Sequence, residues 1–160
     1  MDNLISNASK DCLAQKQRKD QAKPEAAAKA VIAAEPDERA EAVPVKLVEV
    51  LADEASPNSM TTVIVSVGES VVSGVSARLG GSVLESVAVA TGKAVERAYP
   101  GTRFRLEDIQ LAESREGKRV ATVTAQVTNQ QGSRPVSGAA AVNDDLYFSV
   151  AEATIEAFLS

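Results

Sequence analysis

Apolar and polar residues alternate through "TTVIVSV" (residues 61–67). Val63, Val65 and Val67 fall on one side of the chain, and Thr62, Ile64 and Ser66 on the other. A period of two is that of a strand with one face on a core. "VKLVEVLADE", from Val45, is rich enough in Val and Leu to read as a strand before it, and "SVVSGVSAR" as a third after a turn at Gly68-Glu69. The period then lengthens. From Ser82 to about Tyr99 it becomes helical, with Glu85, Lys93, Glu96 and Arg97 left for solvent.

The same order then returns. "FRLEDIQLAES" reads as a strand and Glu116-Gly117 as a turn. "KRVATVTAQVT" alternates with Ala121, Val123, Ala125 and Val127 on one face. "NQQGS" turns, "RPVSGAAAV" is a strand, and a helix runs from about Asp144 to Leu159. Val72-Ser73-Gly74 corresponds to Val136-Ser137-Gly138, and Ser86-Val87-Ala88 to Ser149-Val150-Ala151. The predicted fold is α+β: two β-β-β-α repeats, 44–100 and 101–160, with pseudo-twofold symmetry and mainly antiparallel sheets packed by helices. One three-stranded sheet with one helix buries too little apolar area to stand alone, whereas two copies share a core.

The helix starts differ. Ser82 with Glu85 three residues on is a capping box after Gly80-Gly81. In the second copy Asn143-Asp144 supplies the predicted cap, and Asp144 and Asp145 sit where the helix dipole favours negative charge. The last helix leaves only Glu152 and Glu156 for water and spreads Leu146, Tyr147, Phe148, Val150, Ile155, Phe158 and Leu159 around the rest. A helix apolar on so many sides predicts a self-associating surface, hence a homodimer or higher oligomer.

Composition divides the 160 residues near Pro44. Residues 1–43 are rich in Ala, Gln and Asn and poor in branched apolar residues, which marks a flexible arm before a domain over 44–160. Within the arm, residues 23–36 ("KPEAAAKAVIAAEP") carry helix start and stop signals in Pro24 and Pro36. Leu4, Ile5, Ala8, Cys12 and Leu13 share one face of a further helical pattern, so residues 1–20 are a candidate docking peptide for a protein partner beside the plainer reading of a solvated tail.

The chain has no His and a single Cys. A His-based nucleophile activation, an intrachain disulfide and a cysteine metal cluster are therefore excluded, and no catalytic residue, metal ligand or cofactor is expected. Cys12 lacks a basic neighbourhood and reads as inert, in keeping with a cytoplasmic setting. The net charge of −5 argues against nucleic acid, including double-stranded RNA, and no apolar run is long enough for a membrane span.

Few residues suggest binding chemistry. Gly80-Gly81 ahead of a helix could present backbone N–H groups to an anion, or simply turn the chain. Asp144 and Asp145 could meet an amino group, or a cation together with Glu152, besides capping the helix. Ser86, Ser149, Thr91 and Thr154 recur in one helical frame, as a symmetric pocket lining or as small packing residues. Arg103, Arg105, Lys118 and Arg119 read as solvated strand ends.

Over residues 44–160 this pattern resembles the C-terminal regulatory domain of α-isopropylmalate synthase, a leucine-sensing dimerisation module built from two β-β-β-α units. The resemblance is carried by Gly74 through Gly81-Ser82, by Gly138 through Asn143-Asp144-Asp145, and by the closing "DDLYFSVAEATIEAFLS". The synthase's catalytic barrel and its metal-binding histidines have no counterpart here, so the resemblance implies sensing and not synthesis. It implies a site where the two repeat loops face each other. There Gly80, Gly81 and Ser82 would take a carboxylate, Asn143, Asp144 and Asp145 would flank an amino group, and Val or Leu would hold an apolar tail. The expected function is a non-catalytic, self-associating binding or regulatory module for an amino-acid-like ligand. The alternative is a structural hub whose arm docks onto a partner.

Overall fold

The two copies of strand–strand–strand–helix are β1 (Val45–Leu51), β2 (Met60–Val67), β3 (Ser70–Ala77) and α1 (Val83–Ala98), then β4 (Arg103–Glu113), β5 (Arg119–Asn129), β6 (Gly132–Ala141) and α2 (Leu146–Leu159). This computed structural model describes residues 43–78 and 81–160. The expectations for residues 1–42, among them the helix over 24–36, the docking peptide over 1–20 and Cys12, lie outside the described residues, as does Gly80.

Each repeat is a three-stranded antiparallel sheet, β1-β2-β3 and β4-β5-β6. Tight turns join β2 to β3 at Gly68 (φ +59°) and β5 to β6 at Gly132 (φ +127°), where the left-handed backbone suits glycine. Even the irregularities repeat. In the first sheet the register steps from Leu47↔Val65 to Glu49↔Ile64, and in the second from Leu106↔Ala125 to Asp108↔Thr124. Val48 and Glu107 are therefore the extra residues of equivalent β-bulges.

The alternation fixes the inner faces. Val63 and Val65, then Ala121, Val123, Ala125 and Val127, are buried beneath the helices. α1 packs on β2 and β3 of its own sheet and on β4 of the other, while α2 packs on β5, β6 and β1, and the helices also touch each other. This reciprocal reach turns two under-sized layers into one core of small residues.

Two glycines set the helix-to-sheet distance. A Cβ on Gly74 would run into the Ala90 carbonyl and Ala94 amide of α1, and one on Gly138 into the Ala153 carbonyl and Ala157 amide of α2. Only hydrogen lets backbone meet backbone so closely. The recurring hydroxyls are consumed in the same packing. Thr91 Oγ1 donates to the Val87 carbonyl and Thr154 Oγ1 to the Val150 carbonyl, both at 2.7 Å, while Ser86 and Ser149 donate to the carbonyls of Ser82 and Asp145.

Two expectations need correction. The cap of α2 is Asp145, not Asn143-Asp144: its extended backbone holds Oδ1 to accept from the Tyr147 and Phe148 amides at 2.9 and 3.1 Å. It is the counterpart of Ser82, whose capping box with Glu85 is present. The apolar breadth of α2 is also not an outer surface. Val150, Ile155 and Phe158 are buried within the same chain, because α2 meets its own sheet, α1 and β1 together. Only Glu152, Glu156 and Leu159 of the helix, with Ser160 beyond it, remain exposed.

Candidate functional site

The pseudo-symmetry fails where β1 meets α2, and a cleft opens there. Where the second sheet meets the first helix, Phe104, at the start of β4, lays its ring against Gly92 of α1, and its amide donates to the Glu96 carboxylate. By the alignment of the repeats, the counterparts of Phe104, Gly92 and Glu96 are Val45, Ile155 and Leu159. The ring is replaced by a smaller side chain, the bare backbone by a branched one, and the carboxylate by an apolar group. Between β1, the end of β6 and the outer side of α2 lies an open cleft of about 920 Å³, within the size range of small-molecule sites.

Val45, Leu47, Ala140, Ala141, Ile155 and Leu159 give the cleft apolar walls. Lys46 lines it from β1, and Glu152 and Glu156 line it from α2. Glu156 Oε2 accepts from the Ala139 amide at 2.9 Å, which fixes that carboxylate on the wall, whereas Glu152 is exposed. An apolar trough with carboxylates on the α2 wall and Lys46 at the β1 rim suits a small amphiphile with a zwitterionic or cationic head.

The residues singled out in the sequence are spread over different places. Asn143 lines this cleft. Ser82 lines a smaller one, of about 300 Å³, with Glu85, Leu106 and Asp108. Gly81 is exposed, its carbonyl accepts from Arg78 Nε at 3.1 Å, and the Ser82 amide donates to the helix's own Glu85 at 3.4 Å. Asp144 is exposed and Asp145 is committed to its cap. Among the described residues, no buried side-chain polar atom lacks a hydrogen-bond partner, no three acidic or sulfur ligands converge on a metal position, and no helix is long and apolar enough to cross a membrane.

Val45, Lys46, Leu47, Ile155 and Leu159 were not singled out as site residues. Their signal was readable as a mismatch between the repeats: "VATGKAV" set against "EATIEAF" puts Gly92 opposite Ile155, and "RFRLED" against "PVKLVE" puts Phe104 opposite Val45. Compared with known proteins, the chain matches no family model and no curated protein.

Proposed function

We propose that this chain is a non-catalytic, self-associating binding module that senses a small amphiphilic ligand with an amino-acid-like head. The observation that supports this reading is the cleft between β1 and α2, where apolar walls, Lys46 and the Glu152/Glu156 pair stand together. Lys46 would take a carboxylate, Glu152 an ammonium group, and Leu47, Ile155 and Leu159 an aliphatic tail. The duplicated β-β-β-α order on which the resemblance to the leucine-sensing regulatory domain rests is consistent with such a role. The absence of His from the sequence favours binding over turnover, and its single Cys suits a reducing, cytoplasmic setting.

Titration calorimetry of the full chain tests the reading, with leucine, isoleucine, valine, their 2-oxo acids and the corresponding alkylamines as probes. Heat from an amino acid or an amine, lost in Lys46→Gln or Glu152→Gln, is the expected result. No heat from any of them at millimolar concentration would remove the ligand part of the proposal. The second reading, a structural hub, draws on a different feature: the exposed apolar face of the first sheet.

A further inference from the structure

The outer faces of the two sheets, remote from the helices, have the same topology and the same bulge, and differ in polarity along the first strand and at the middle of the second. On the second, Glu107 and Gln110 are exposed and Thr124 is half-buried beside them, as expected of a face in water. On the first, Val48 stands at the bulge where the sister sheet has Glu107, Leu51 where it has Gln110, and Ile64 where it has Thr124. Met60, Val71 and Val75 extend the patch. Val48, Leu51, Met60 and Val71 are 53%, 51%, 57% and 66% exposed. At Val48, Leu51 and Ile64 the sister sheet is an internal control: this fold tolerates polar residues there, so the apolar ones are not required by the domain's own core.

We infer that the outer face of the first sheet docks onto the same face of a second copy of this chain. This rests on the self-associating part of the function proposed above and not on its ligand cleft. An apolar face is its own complement, and sheet-on-sheet packing about 10 Å apart is a standard way to cover one. The charges agree. Lys46 and Glu49, the charged members of the face, both lie on the edge strand β1. A twofold axis parallel to the strands sets β1 of each copy over β3 of the other and Ile64 close to its own image, leaving Lys46 and Glu49 at the two rims instead of in the centre. Three strands about 4.8 Å apart and eight residues long present a face of roughly 14 by 26 Å, and with side-chain relief two such faces remove on the order of 1,000 Å² from water. That is the lower edge of specific interfaces, so the dimer is a weak, concentration-dependent one.

The test is sedimentation equilibrium of the full chain between roughly 5 and 200 µM, where a weak dimer exchanges with monomer. Beside it runs the variant Val48→Glu/Leu51→Gln/Ile64→Thr, which copies the sister sheet and so keeps the fold. The wild type should rise from 16.7 kDa towards twice that mass with concentration, and the variant should associate at least about tenfold more weakly with an unchanged far-UV spectrum and an unaltered response to the calorimetric ligands. A wild type that stays monomeric throughout overturns the inference. So does a variant that dimerises as well as the wild type, which would leave self-association standing on another surface.

Discussion

The ring of Phe104 in β4 lies against the bare backbone of Gly92 in α1, so close that a methyl group at Gly92 would enter the ring. At the equivalent contact between β1 and α2, Val45 and Ile155 take these roles and an open cleft lies beside them. One duplicated plan is filled where β4 meets α1 and left open where β1 meets α2.

This relationship predicts a change of sign. Gly92→Ala should destabilise the protein by about 1–2 kcal/mol, since overlap with the ring outweighs the gain in helix propensity. In a Phe104→Ala background the same substitution should become neutral or stabilising, because the obstacle is gone. Urea denaturation of the four proteins gives the coupling. Equal cost in both backgrounds would mean that the ring and the glycine do not interact.

Gly74→Ala and Gly138→Ala should each cost about 3 kcal/mol, towards the upper end for overpacking, because the new methyl meets helix backbone that no rotamer change can move. Their costs should be similar, as their surroundings are equivalent. A drop in the denaturation midpoint at one glycine and none at the other would contradict that equivalence.

Asp145→Ala should lower stability by about 1 kcal/mol, while Asp144→Ala should change it by only a few tenths, because only Asp145 accepts from the first amides of α2. Thermal melts distinguish the two. The reverse order would restore the cap to the position expected from the sequence.

The free edge of β3 is occupied by α1: Lys93 Nζ donates to the Val75 carbonyl at 3.1 Å, and Arg97 Nη1 donates to the Ser73 carbonyl. Removing both cations should cost little stability, since exposed polar contacts contribute about 1 kcal/mol or less. It should raise the aggregation rate on heating, because edge carbonyls then stand open to another strand. Light scattering during a thermal ramp should show earlier aggregation in Lys93→Ala/Arg97→Ala, and an unchanged onset would show that the edge needs no such cover.

The duplicated fold was legible because it is written in local periods. Val63 and Val65, and Ala121 through Val127, alternate in strands whose inner faces the structure buries, and Ser82 with Glu85 forms the expected box. The destination of the last helix was not legible. Phe158 looks the same in sequence whether it meets water, a partner or Phe104 and Tyr99, and it is the non-local arrangement that sets it near both rings, at 6.4 and 5.9 Å. The cleft escaped for a related reason. Motif reading favours glycines and aspartates at helix starts, but Ser82 and Asp145 are occupied by their own helices, and the open space comes from a difference in side-chain size between Val45 and Phe104, residues on strands far apart in the chain.

That the β1–α2 contact holds a ligand cleft which the equivalent β4–α1 contact lacks is tested most simply by a methyl-detected NMR titration of the full chain with leucine and with the matching alkylamine. Saturable shifts of the Leu47, Ile155 and Leu159 methyls are expected, with those of Leu84 and Leu106 beside the smaller cleft unmoved. Shifts centred on Leu84 and Leu106, or none at millimolar ligand, would contradict it.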